Sequence, residues 1–182
     1  ASDWSSDVCS SDLTSGTYVA GATGQGYTVR WNQTASSANT AVTATVTSTT
    51  TGGWNFSNAT LTSTNSGCTT VSISAKSATA VTISYSAKGG TSCLVATGNQ
   101  VILGNITNPA AAGVYGVSVT SSNDTTNAST TQTFLPTVTA VDLSAAPQGA
   151  TTNVVVTGTG FASGMSLSFG TGITVNSTTY SS

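Results

Sequence analysis

The chain has 182 residues, 67 of them Ser or Thr, and charged residues make up 4%, against roughly 25% in ordinary soluble domains. It contains no His and no Glu, which excludes histidine catalysis, histidine metal sites, basic phosphate clamps and the electrostatic footprint of a nucleic-acid binder. Composition points to no particular reaction, cofactor or metal.

In chain order, the first feature is Asp3-Trp-Ser-Ser-Asp-Val-Cys-Ser-Ser-Asp-Leu13. It has neither alternation nor a helical apolar period. With three Asp and scattered apolar residues, it also lacks the basic start and apolar centre of a secretory signal. Codon by codon, it resembles one reading frame of a common sequencing-library adapter. Residues 1–13 are therefore set apart as a non-native, disordered segment. Asp3, Asp7, Asp12, Cys9 and Trp4 leave with it, and the remainder balances Arg30, Lys76 and Lys88 against Asp124 and Asp142, a net of +1. The chain's acidic balance then carries no argument about partners.

From Thr17 onward the governing pattern has a period of two, which places every second side chain on one face of a strand. The runs are Tyr27 to Trp31, Ala41 to Thr47, Val71 to Ser74, Val81 to Tyr85, Val101 to Leu103, Tyr115 to Val119, Val154 to Val156 and Leu167 to Phe169. They are rich in Thr, Val, Ile and aromatics, which suit a pleated, half-buried surface. Turn clusters separate them: Thr50 to Gly53, Asn65 to Gly67, Lys88 to Gly90, Asn108-Pro109, Ser121 to Asp124 and Pro147 to Gly149. Short strands at such spacing predict an antiparallel β-sandwich. No window has the spacing of an amphipathic helix, and none approaches the 18 or so apolar residues of a membrane span.

With Cys9 set aside, Cys68 and Cys93 form a candidate disulfide, which favours an exported, oxidising setting. If strands 69–75, 80–87 and 93–97 formed a flat meander, the two cysteines would stand about 9.6 Å apart, beyond the roughly 7 Å reach of a bridge. Either the chain crosses between sheets after Tyr85, or one cysteine sits on a loop that folds back. The Lys88-Gly-Gly-Thr-Ser92 stretch favours the loop.

A boundary is expected near Phe134-Leu135-Pro136. Residues 14–134 hold enough strand candidates for one complete sandwich. Residues 135–182 begin a second pattern with strands at Val138 to Leu143, Asn153 to Val156, Ser166 to Phe169 and Ile173 to Val175, too few to cover their inner faces. The expectation is an incomplete second unit in a piece of a longer protein.

Within it, Pro136-Thr-Val-Thr, Pro147-Gln-Gly149, Val154-Val-Val-Thr-Gly158-Thr-Gly160-Phe161, Gly164 and Leu167-Ser-Phe169-Gly170 resemble the opening half of TIG-type (IPT) immunoglobulin-like domains of bacterial surface proteins. The resemblance implies a strand running into a Gly-x-Gly-Phe turn, with Gly158 and Gly160 permitting unusual backbone or close approach and Phe161 turning into the core. It implies a fold, not an activity. In the first unit, Ile106 to Tyr115 is similar to the Asn-Pro-x-x-x-Gly-x-Tyr segment of secreted immunoglobulin-like repeats, with Tyr115 as a candidate tyrosine corner. Val117 stands where antibody-type domains carry a Cys, so their disulfide framework is not supported.

Chemistry-bearing clusters are scarce. A Ser or Thr nucleophile needs an adjacent base, and Lys76 and Lys88 both fall in turn-like sequence. Asp124 and Asp142 fall in different units, which separates the carboxylate pair that glycoside hydrolysis uses. Ser121 to Thr125 offers a single carboxylate to Ca²⁺ and reads as an Asx turn. Tyr27, Trp31, Trp54, Phe56, Tyr85 and Tyr115 suit a core more than a sugar-stacking face, and Trp54, between Gly53 and Asn55, is the candidate among them for exposure and ligand stacking. Seven Asn-x-Ser/Thr sequons, at Asn32, Asn55, Asn58, Asn105, Asn123, Asn127 and Asn176, follow largely from composition.

The expectation is an all-β, immunoglobulin-like β-sandwich followed by a truncated second immunoglobulin-like unit. Its expected role is that of a non-enzymatic stalk, spacer or adhesion module at the cell surface or outside the cell. Cell-surface glycans or neighbouring domains of the same chain are the expected partners, with neither nucleic acid nor a membrane span in this stretch. A carbohydrate-binding module using Trp54 is the alternative.

Overall fold

Alternation translates directly into strands in the computed structural model, which describes residues 18–32, 40–62, 68–87, 89, 93, 98–125 and 127–181. The adapter-like residues 1–13 lie outside that set, as do Lys88 and the Asn65 to Gly67 turn. Among the described residues, eight strands precede Leu135: β1 (Gln25–Trp31), β2 (Val42–Ser48), β3 (Thr60–Leu61), β4 (Cys68–Lys76), β5 (Ala80–Ala87), β6 (Asn99–Ile106), β7 (Gly113–Ser121) and β8 (Ala128–Phe134). Two follow it, β9 (Thr137–Val141) and β10 (Val156–Thr159). The chain is all-β.

The first eight make two antiparallel sheets, one ordered β4-β5-β2-β7-β8 and the other β1-β6-β3. The chain crosses from one sheet to the other between β1 and β2, β2 and β3, β3 and β4, β5 and β6, and β6 and β7, as in an immunoglobulin-like sandwich. β2 shows how pattern becomes placement. Val42, Ala44, Val46 and Ser48 face inward while the three Thr between them are half-exposed. Opposite them, Val81, Ile83 and Tyr85 of β5 and Val119 of β7 meet Trp31, Val101, Leu103 and Ile106 from the other sheet in one buried cluster.

In β6 the period of two breaks, since Leu103 and Ile106 are both fully buried although three residues apart. A register shift against β1 and a positive φ of 56° at Asn105 insert one extra residue. Such a bulge returns the next side chain to the core, and Asn tolerates the left-handed backbone better than most residues. The Asn105 amide also donates to the Asn58 carbonyl at 3.0 Å.

Two strands are additions to the sequence reading. β8 is Ala-Ser-Thr-Thr-Gln-Thr-Phe, with only its end residues Ala128 and Phe134 buried. Its ladder to β7, from Gly113↔Phe134 to Val119↔Ala128, holds it in the sheet without an apolar stripe. β3 has two residues and pairs only with β6.

The second unit has fewer strands than expected. β9 and β10 form a two-stranded antiparallel sheet, and β10 runs from Val156 to Thr159, so it shares only Val156 with the strand expected over Asn153 to Val156. The expected strands at Ser166 and Ile173 are not strands. They find no neighbouring strand among the described residues, and Ile173 remains 59% exposed.

One buried polar atom in the sandwich, the Tyr85 hydroxyl, has no hydrogen-bond partner among the described residues, although the residue is 1% exposed. Burial raises its pKa above the ordinary value. A buried hydroxyl without a partner carries its desolvation cost uncompensated. Tyr85→Phe is therefore expected to leave stability unchanged or raise it by up to about 1 kcal/mol in urea unfolding. A loss of more than about 1 kcal/mol would show that the hydroxyl is satisfied.

Candidate functional site

At one end of the sandwich the aromatic residues gather around Phe134. Trp54 meets it at 5.3 Å between ring centroids, Tyr115 at 5.9 Å and Tyr18 at 6.2 Å, all edge-on. Tyr27 meets Trp54 at 6.2 Å in the same geometry. Edge-to-face pairs at such distances contribute about 0.5–1.5 kcal/mol each beyond area burial.

Trp54 is thus 5% exposed, which places it in the core and rules out the exposed, ligand-stacking alternative raised for it. Its flanking Gly53 and Asn55 belong to a turn, but that turn folds inward. Gly53 N donates to the Thr50 carbonyl at 3.0 Å, and Asn55 exchanges backbone bonds with Thr107 at 2.9 and 3.2 Å. Tyr27, Trp31, Phe56, Tyr85 and Tyr115 are buried as well.

Polar groups at this end tie backbone segments together. The Tyr27 hydroxyl donates to Asn108 Oδ1, and Asn108 Nδ2 donates to the Val19 carbonyl at 2.8 Å. The Asn108 N–H reaches the Ala22 carbonyl at 2.8 Å, and Gly21 N donates to the Pro109 carbonyl at 2.7 Å. The sequence reading marked Asn108-Pro109 as a turn. Its second role, a buried amide that joins β1 to residues 19–22, left no periodic signal.

Tyr115 occupies the position expected of it. Its hydroxyl donates to the Ala111 carbonyl four residues upstream at 3.0 Å, the geometry of a tyrosine corner. Cys68 and Cys93 form a disulfide with Cα atoms 4.8 Å apart. Cys68 opens edge strand β4, and Cys93 lies 2% exposed in the connection from β5 to β6. Both proposed escapes from the flat meander are used: the chain crosses between sheets, and Cys93 sits in the crossing. Closing a loop of 25 residues stabilises by ~3.5 kcal/mol in the chain-entropy model.

In the second unit, Gly158 and Gly160 permit close approach. A Cβ at Gly158 would lie 2.0 Å from the Thr137 carbonyl oxygen and 2.8 Å from the Phe161 ring. The glycine thus lets Phe161 pack over the β9-β10 pair. Gly160, at φ 74°, would put a Cβ 2.5 Å from the Ala20 methyl.

The side chains of Asp142 and Lys76 make separate structural contacts. Asp142 Oδ1 accepts the Val155 N–H at 2.7 Å and extends the β9-β10 pairing. The Asp124 backbone closes a turn with Ser121 through reciprocal bonds of 3.0 and 3.2 Å. Lys76 ends β4 and is not a turn residue, and its Nζ donates to the Ala59 carbonyl at 3.2 Å. Among the described residues no three His, Cys, Asp or Glu side chains gather as a metal site would need. No helix among them is long and apolar enough to cross a membrane. Models of known protein families give no match to the chain, and curated proteins give none either.

Burial pushes the Tyr27 phenol up to about 12, against the opposing effect of its contacts with Trp54 and Asn108. A raised phenol pKa means that the folded state prefers the neutral form. The associated stability is complete below the unfolded value near 10 and is lost as pH rises through the folded value. Unfolding followed between pH 8 and 12 should show wild type losing stability above pH 10. Tyr27→Phe should start about 1 kcal/mol less stable and fall less steeply over that window. Parallel curves would show that the Tyr27 phenol is not held neutral by the fold.

Proposed function

We propose that the chain is a non-enzymatic structural module, a stalk or adhesion segment of a secreted or cell-surface protein. The observation that carries this reading is the placement of the large side chains. Tyr27, Trp31, Trp54, Phe56, Tyr85 and Tyr115 lie in the interior, while the outward positions of strands such as β2 and β8 are Thr and Ser. A module built this way presents a hydrated, nearly uncharged surface, and its aromatic residues serve cohesion.

Two further features support the reading. The disulfide favours an oxidising compartment, and the Pro136 to Gly170 resemblance to TIG-type domains suits a chain of linked immunoglobulin-like units. Neighbouring domains of the same chain, or cell-surface glycans reached by a distal domain, are the partners this proposal implies.

Titration with a panel of polysaccharides, followed by tryptophan fluorescence, separates this module from a carbohydrate-binding one. Trp31 and Trp54 are buried, so in a Trp4→Phe background the spectrum should stay unchanged within a few per cent of its intensity as polysaccharide is added. Saturable quenching that vanishes in Trp54→Phe would overturn the scaffold reading.

A further inference from the structure

We infer that the passage from the sandwich to the β9-β10 hairpin is a rigid joint that fixes the orientation of the second unit. This extends the scaffold reading to how orientation is transmitted along the chain. It rests on that reading for its use but not for its geometry.

β8 ends at Phe134 and β9 begins at Thr137, so Leu135 and Pro136 alone connect them. A hinge needs residues free to absorb a change in φ and ψ, and neither is free. The Leu135 N–H donates to the Tyr18 carbonyl at 2.8 Å, and its carbonyl accepts the Ala20 N–H at 3.0 Å. These bonds make Val19 and Leu135 a parallel bridge. Pro136 has its φ locked by its ring.

A second attachment lies away from the connection. The Gly160 carbonyl accepts the Ala112 N–H at 2.7 Å, and a Cβ on Gly160 would sit 2.5 Å from the Ala20 Cβ and 3.5 Å from the Pro136 Cα. Only a glycine seats this turn on the sandwich. The seat itself is braced, because Ala112 follows Ala111, whose carbonyl takes the Tyr115 hydroxyl, and Gly21 is bonded to Pro109 at 2.7 Å. One attachment would leave a swivel. Two, on separate stretches of the second unit, oppose both bending and twisting. An isolated two-stranded hairpin is marginal in water, so the seat also supports the hairpin.

The test is residual dipolar coupling and ¹⁵N relaxation on the full chain. Amides of 18–134 and of 137–160 should fit one alignment tensor and share one rotational correlation time. Inserting Gly-Ser-Gly-Ser between Leu135 and Pro136 should split the fit into two tensors. Gly160→Val should also split it, with chemical shifts of the sandwich retained away from residues 18–22 and 108–112. Ala20→Val places the bulk on the opposite partner and leaves the hairpin sequence intact, so it should give the same loss of a common tensor even if Gly160→Val disrupts the hairpin. Two tensors in the wild type, or one tensor preserved in Ala20→Val, would overturn the rigid joint. Glycan binding would defeat the scaffold reading without altering these couplings.

Discussion

The Phe134 ring closes the end of the sandwich, with Trp54, Tyr115 and Tyr18 each meeting it edge-on. These rings come from four separate stretches of chain: the segment before β1, the turn after β2, the start of β7 and the end of β8. Their cohesion brings the Asn108 amide to the Tyr27 hydroxyl and the Val19 carbonyl and sets the Tyr115 corner. It also places Leu135 beside Tyr18 and Ala20. The disulfide acts elsewhere, holding the start of edge strand β4 to the connection that follows β5.

A surface with 4% charged residues gives up the ion pairs that commonly decorate strand exteriors, and the loss is small because exposed pairs contribute little. Hydroxyls take over. Thr45 and Thr82 meet across β2 and β5 at 3.1 Å, and the Ser122 hydroxyl accepts the Thr43 N–H at 3.1 Å. Of the few charged groups, Asp142 and Lys76 meet backbone partners, in keeping with the scaffold role proposed for this chain.

Much of the architecture was legible because strands that bury one face must alternate. β1, β4, β5, β6 and β7 contain the runs read from the sequence, and β2 and β9 overlap theirs. β8 was not legible, because its central Ser-Thr-Thr-Gln-Thr carries no apolar alternation and pairs through its backbone. Nor was the bulge at Asn105, since it breaks the period that reveals strands. At the candidate site, the cysteine pair was readable from the count, and Tyr115 was marked by the resemblance of its Asn-Pro-x-x-x-Gly-x-Tyr segment. The burial of Trp54 was not, because a Trp between Gly and Asn looks like a loop tip unless its backbone bonds to Thr107 are known. Asn108 was hidden for a related reason: a turn asparagine and a buried amide crosslink have the same sequence.

Equilibrium urea unfolding of Phe134→Leu tests the central claim most directly, since leucine keeps an apolar side chain at the site and removes the ring. Three edge-on contacts of about 0.5–1.5 kcal/mol each predict a loss of roughly 1.5–4.5 kcal/mol with an unchanged denaturant slope. A loss below about 1 kcal/mol, within the range of an ordinary hydrophobic exchange, would contradict the claim that aromatic cohesion around Phe134 organises this end of the fold.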